Sequence, residues 1–488
     1  MNPVFHELPR VFLVNLGCHK NQVDAEVILG ALDEAGFPVV GEPDTAEVII
    51  VNTCGFLRAA REESVDALRE MAAFRIQGAL RRLVVTGCMA DRDRKYLSDR
   101  IPGIDLFLSP FQLDRIPEAL LSVQSSPPPL FSTDFRWPDA PRWLSTPRSF
   151  GFVKIADGCD NRCAYCRIPV LRGPFRSKPL QDVIQECEEV IATGRREIVL
   201  LAQDTTRYGA DDGGKGCFTE LVEAISRLDG LKWLRLMYLY PSHIELPLLD
   251  VMSASNTICR YLDIPLQHVH PRIVTAMNRS MPGWVDAAED RAGSAADFIA
   301  AIRRRVPGIT IRTTLMTGFP GETEAEFEAM AAFIEAGHID HLGIFPWSPE
   351  PDTVAARLPG RVDPVIAEEW AERLMMLQAD IVSERNRRRL GEIVEVVIDG
   401  AADDGLEGEG GSVTRVSGRM AGQAPEVDGE VRISGAYADG TWLRVRLIDC
   451  DVYDFEGEVV SEEEWAMATA MDSVEEQMGE KGPEKGGR

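Results

Sequence analysis

The 488-residue chain contains no apolar run near the roughly 18 residues that a membrane span needs. Its first ten residues, MNPVFHELPR, carry an acid at Glu7 and no apolar core, which argues against a secretory signal. Both absences point to the cytoplasm. Positive charge is also scarce. Fifty-two Lys and Arg stand against 78 Asp and Glu, a net charge of −26. A chain built to hold nucleic acid by bulk charge would show the reverse. A basic partner, or simply a well-solvated surface, fits this balance.

What the chain does have is ten cysteines, three of them crowded into CDNRCAYC as Cys159, Cys163 and Cys166. In a large cytosolic chain, clustered cysteines point to metal or catalysis rather than disulfides. A closed zinc site would need a fourth ligand, and no Cys or His stands nearby. Four-iron four-sulfur clusters are held by clustered thiolates. Three thiols in one loop would leave the fourth iron free for a small molecule.

A second triad is dispersed. Cys18, Cys54 and Cys88 each follow an apolar run that reads as a strand: VFLVNLG, VIIVNT and LVVTG. Helical stretches separate these runs, so a parallel sheet is expected, with its ligand edge at the carboxyl ends of the strands. The three thiols are expected to meet at that edge. Gly17, Thr53 and Gly87 would leave room for a bulky group. The alternative is three unrelated core cysteines, since free Cys is commonly buried.

Composition divides the chain further. An α/β region over 8–124 is followed by a Pro- and Ser-rich linker, 125–149. Six strand–helix units over 150–390 imply a parallel barrel, complete or partial. A long charged helix from about Asp363 closes that region. Short strands with Gly-rich turns over 391–460 read as a small β-barrel, and residues 461–488 as an acidic, disordered tail.

CDNRCAYC resembles the radical S-adenosylmethionine (SAM) signature. With the Cys18, Cys54 and Cys88 triad, RGPFRS, PLQH, TGFPGET and APEVDG in order, nearly the whole chain resembles the methylthiotransferases. The resemblance implies an N-terminal flavodoxin-like parallel sheet, a central radical SAM (βα)6 partial barrel and a C-terminal TRAM-like β-barrel. It implies two 4Fe-4S clusters on the two triads, SAM as co-substrate, and a low-potential electron donor such as flavodoxin or ferredoxin. One branch of the family modifies an adenosine in tRNA. The other modifies the β-carbon of an aspartate in small-subunit ribosomal protein 12. LVNLGCHKNQVDAE, LLAQDTTRYG and YLYP are similar to the protein-modifying branch, so nucleic acid is not the expected substrate. Residues near 281–295 are extra relative to the family pattern.

Four further positions are candidates for SAM contact. Tyr165 matches a position that packs on the adenine, or it anchors the loop. Gln203, beside Asp204, ends the second barrel strand, where barrel sites lie. Gly318 and Gly321 in TGFPGET permit close backbone approach, or only make a turn. Arg172 and Arg176 could neutralise a carboxylate or a cluster, or form surface ion pairs. His268 and His270 fit hydrogen bonding better than metal ligation, because alternate residues of an extended segment face opposite ways. Cys187, Cys217, Cys259 and Cys450 read as packing or chance exposure. No general acid, base or nucleophile stands out.

Overall fold

The computed structural model describes residues 7–122, 135–211, 213, 217–285, 294–402 and 415–467. Most of the acidic tail, residues 125–134 of the linker and residues 286–293 of the extra segment lie outside the described residues.

In the N-terminal region, β1 (Val11–Asn15), β2 (Val48–Thr53), β3 (Arg82–Gly87) and β4 (Leu106–Phe107) form one parallel sheet in that order. Val11 also bridges Val39 in parallel, through Val11 N to Pro38 O and Val40 N to Val11 O. With that bridge counted as a strand, the spatial order is the flavodoxin-like 2-1-3-4-5. β2 and β3 are buried at every position, as strands covered on both faces must be. Helix α1 (His19–Glu34) starts directly at Cys18, and α2 (Arg58–Gln77) follows Cys54. α1 is buried around much of its circumference. Val27, Ile28 and Leu32 enter the N-terminal core, while Val23 packs with Phe150 and Phe152 of the next region.

The central region opens with β5 (Phe150–Lys154). A two-stranded antiparallel ribbon follows, β6 (Ala156–Asp157) with β7 (Arg176–Ser177). The main strands continue as β8 (Glu197–Leu201), β9 (Trp233–Leu236), β10 (Ile258–Asp263), β11 (Thr310–Thr317) and β12 (His341–Pro346). The parallel order is β5-β8-β9-β10-β11-β12, with β5 and β12 at the edges, so the barrel is partial. The expected long helix spans Pro364–Arg388 and packs on β12 and β11.

The last strands are β13 (Ile393–Ala401), β14 (Arg415–Met420), β15 (Val431–Ser434), β16 (Trp442–Cys450) and β17 (Phe455–Val459). They close in the order β13-β14-β15-β17-β16. Sequence reading misses β14. Its RVSGRM carries a mid-strand glycine and little alternation, but the barrel wall demands that glycine. A Cβ at Gly418 would lie 2.6 Å from Val397 O.

The small barrel packs at the amino-terminal ends of the central strands, against Phe150, Glu197, Trp233 and His341. Phe152, Val199, Leu201, Cys259 and Tyr261 pack with Val397 and Ala424. Asp428 of APEVDG accepts from Tyr261 Oη at 2.7 Å, Arg312 Nη1 at 2.8 Å and Ala424 N at 2.8 Å. Beside it Glu197, fully buried, pairs with Arg235 at 2.7 Å and Arg419 at 2.9 Å. Burial works against its charge, but the two guanidinium groups overcome that and hold the carboxyl below its usual range. Such a pair stabilises the fold above the ordinary carboxylate pKa and loses its contribution as pH falls through the lowered one. Arg419→Met is expected to cost about 3–5 kcal/mol at neutral pH, because it strips one partner from a buried charge. Urea unfolding of the variant checks this, and a loss below about 1 kcal/mol would contradict it.

Candidate functional site: two thiol triads on one cavity

The register of β2 and β3 places Thr53 opposite Gly87, so Cys54 and Cys88 leave the sheet side by side. Gly17 has φ +96°, and a Cβ there would lie 2.7 Å from Cys54 Cβ and 2.9 Å from its Sγ. The turn carrying Cys18 therefore comes this close to Cys54 only because residue 17 is glycine. Asn21 ties that turn to the sheet by donating to Leu16 O at 2.8 Å and Thr53 O at 3.1 Å. Burial pushes the Cys54 thiol up to about 12, and the neighbouring Cys88 adds to the shift. Burial likewise raises Cys88.

The signature loop is held by its own flanks. Gly158, at φ +77°, lies so close to Pro174 O that a Cβ would approach to 2.1 Å. Cys159 N donates to Gly173 O at 3.1 Å, and Phe175 N to Asp160 Oδ1 at 3.1 Å. RGPFRS is thus the return strand of the ribbon that braces the loop. Asn161 donates to the buried Asp204 at 2.7 Å, and Asp204 also meets His243 Nδ1 at 2.9 Å. Burial pushes the Cys159 thiol up to about 12 and raises Cys166 further. Neutral thiols of this kind are poor nucleophiles, and a bound metal is what would draw off their protons.

All six cysteines line one cavity of about 700 Å³. Tyr165 and Gln203 line it too. Gln203 also donates to Asp157 Oδ1 at 3.1 Å. Gly318 and Gly321 are not among the lining residues. A Cβ at Gly318 would lie 2.4 Å from Ala367 Cβ on the long helix, and Gly321 N donates to Gly360 O at 2.7 Å. Their turn seats Glu322, which meets the buried His268 at 3.2 Å, so TGFPGET and PLQH brace each other. His268 also accepts from His270 N at 2.9 Å. Cys187 and Cys259 are core residues, Cys217 is exposed at a helix start and Cys450 is half-buried.

Arg172 and Arg176 part ways. Arg172 is buried, 3% exposed, and reaches across to the N-terminal triad. It meets Cys88 Sγ at 3.4 Å, Asn21 Oδ1 at 2.7 Å, Asp24 at 2.9 Å and Asp157 at 3.3 Å. Arg176 instead lies over the Phe135 ring at 4.6 Å. Sequence reading overlooked Arg279, Tyr240 and Lys20. Arg279 donates to Cys163 Sγ at 3.4 Å and Tyr165 Oη at 3.3 Å, and stacks on Tyr240 at 4.2 Å. Lys20 Nζ sits 3.3 Å from the Tyr238 ring centroid. Lys20 stands in the CHKNQ turn, two places from Cys18, and that adjacency was the available signal. Arg279 precedes the extra segment and carried none.

The donor set fits iron–sulfur chemistry. Each triad presents three thiols, and a glycine beside each, Gly17 or Gly158, admits the close chain packing that places them. Among the described residues, no three Cys, His, Asp or Glu side chains converge tightly enough for a single metal ion. Soft thiolates spaced around a larger body suit a polynuclear cluster.

Comparison with known proteins agrees. Residues 10–109 match the uncharacterized protein family UPF0004, residues 153–334 the radical SAM superfamily and residues 390–460 the TRAM domain. The ribosomal protein uS12 methylthiotransferase RimO of Pelotomaculum thermopropionicum is 40% identical over 461 residues, covering 92% of this chain and 99% of that protein. The chain belongs to the RimO methylthiotransferase family. The RimO of Syntrophobacter fumaroxidans is 39% identical, covering 92% of this chain and 98% of its own length. Among solved structures, the radical SAM methyltransferase TsrM of Kitasatospora setae matches at 16% identity and a TM-score of 0.48, over 72% of this chain and 77% of that one. Membership makes the chain a radical SAM methylthiotransferase, with SAM and two 4Fe-4S clusters as its cofactors. No helix among the described residues is long and apolar enough to cross a membrane.

Proposed function

We propose that the chain methylthiolates the β-carbon of an aspartate in ribosomal protein uS12, the substrate in its relatives' names. The observation that carries the mechanism is the shared cavity. Radical generation and sulfur delivery must act on one carbon, and both triads line the same space. Cys159, Cys163 and Cys166 hold one cluster, and Cys18, Cys54 and Cys88 the other. When bound, the first would supply one electron for cleaving SAM to methionine and a hydrogen-abstracting 5′-deoxyadenosyl radical, and the second would supply the sulfur.

The chain's own residues position and enclose. Tyr165 and Gln203 face the space for SAM. Asp157 orients Gln203 and anchors Gly158 N at 2.7 Å, keeping the loop before Cys159 fixed. Burial works against the charge of Asp157, but Lys154 and Arg172 overcome that and hold its carboxyl well below the usual range. Phe345, Trp347 and Met316 give the wall an apolar face that excludes water from a reactive radical. Gly318 and Gly321 serve the turn that seats Glu322. By composition the chain divides at 124, 149, 390 and 460, and its electron donor is a low-potential carrier such as flavodoxin or ferredoxin, in the cytoplasm.

Charge supports a protein substrate over tRNA. Residues 391–460 hold 5 basic and 16 acidic residues, a net charge of −11. All five arginines there, Arg415, Arg419, Arg432, Arg444 and Arg446, sit in ion pairs. Phosphate binding wants the opposite surface. A Lys/Arg-rich ribosomal protein suits this one, and its affinity is expected to fall as salt rises. Titrating purified uS12 at two salt concentrations checks this, and salt-independent binding would contradict it. Mass spectrometry of uS12 from a strain lacking this chain tests the function. The protein should be lighter by about 46 Da, one methylthio group in place of hydrogen. An unchanged mass would refute the assignment.

A further inference from the structure

Each triad receives one guanidinium N–H···S contact, and the two contacts come from different arginines. Arg279 Nη1 lies 3.4 Å from Cys163 Sγ, and Arg172 Nε lies 3.4 Å from Cys88 Sγ. Both arginines line the shared cavity. We propose that Arg279 sets the reduction potential of the cluster held by Cys159, Cys163 and Cys166, and Arg172 that of the cluster held by Cys18, Cys54 and Cys88. The inference rests on the assignment of the six cysteines as ligands.

The physical reason is charge. Reduction adds one electron to a thiolate-bound cluster that is already anionic. A donated N–H and a nearby cation stabilise that extra charge, so they raise the potential and ease reduction. In a cavity with apolar walls the effect is larger than in water.

The two arginines are not equivalent. Arg172 shares its charge with Asp24 and Asp157, which also face Lys154. That group of two acids and two bases is balanced. Arg279 has no carboxylate in an ion pair among the described residues. Its other polar contacts are Tyr165 Oη at 3.3 Å and Pro265 O at 2.5 Å, with the Tyr240 ring beneath it. Its charge therefore acts almost undivided on Cys163. The larger shift belongs to Arg279, on the cluster that must pass an electron to SAM. Arg172 has a second property. It stands six residues beyond Cys166 in the chain, yet its sulfur contact is to the other triad. The signature segment thus tunes the cluster it does not ligate.

The test is a redox titration followed by electron paramagnetic resonance, on the full chain reconstituted anaerobically and without SAM, so that no cofactor carboxylate contributes. Cys18→Ala, Cys54→Ala and Cys88→Ala together isolate the barrel cluster. In that background Arg279→Met is expected to lower the ratio of reduced to oxidised cluster at a fixed potential about tenfold, about 59 mV for a one-electron couple. Arg279→Lys, which keeps the charge and loses the fork, should fall between. Arg172→Met should leave this cluster's potential in place. In the converse background, lacking Cys159, Cys163 and Cys166, the roles should exchange. Arg172→Lys serves there if the methionine variant fails to fold. Full iron with an unmoved potential in Arg279→Met would overturn this inference alone, as would equal shifts of both clusters by either arginine. Absence of iron from both single-triad chains would overturn the ligand assignment and this inference with it.

Discussion

Replacing Cys159, Cys163 and Cys166 together by alanine is expected to abolish 5′-deoxyadenosine formation from SAM and to halve the iron, from about eight to about four per chain. The thiols line the cavity beside Tyr165 and Gln203, and their loop is fixed independently of them. Its braces are the ribbon β6–β7, the Asn161–Asp204 bond and the Asn278 amide on Arg162 O at 2.8 Å. The variant should therefore fold and bind the N-terminal cluster, while lacking the electron entry to SAM. Iron analysis and chromatography of the anaerobic reaction check both halves. Residual SAM cleavage at the wild-type rate, or a single zinc in place of iron, would contradict the account.

The complementary variant separates the two chemistries. With Cys18, Cys54 and Cys88 replaced by alanine, SAM should still be cleaved reductively, but no methylthio product should form. The two triads stand on different sheets, each with its own supports, so losing one need not collapse the other. Product yield should fall to background while 5′-deoxyadenosine persists. Full methylthiolation by this variant would deny the first triad any part in sulfur insertion.

Much of this was legible in the sequence, for identifiable reasons. Strands such as VIIVNT and EIVLLA are covered on both faces and read as unbroken apolar runs. A cysteine directly after such a run is placed at the ligand edge by topology alone. What stayed hidden depends on contacts between distant segments. Val39 completes the flavodoxin-like order through a single bridge, too short for any periodicity. β14 hides its strand character behind Gly418, which the small barrel requires. Gly318 and Gly321 looked like ligand-approach glycines, but Gly318 makes room for Ala367, and Gly321, at φ +88°, turns the chain so that its N–H reaches Gly360 O. Arg279 stands 116 residues from Cys163, and no spacing rule joins them. Arg172 was visible as a candidate, yet its partner Cys88 lies 84 residues upstream on another sheet.

Two clusters facing one cavity are expected to methylthiolate a ribosomal protein and to leave tRNA alone. The most direct measurement incubates the anaerobically reconstituted chain with SAM, a strong reductant, purified uS12 and unmodified tRNA in one vessel. Both substrates are then weighed by mass spectrometry. A gain of about 46 Da on a single aspartate of uS12 is expected, with tRNA unchanged. Methylthiolated adenosine in the tRNA beside unmodified uS12 would contradict it.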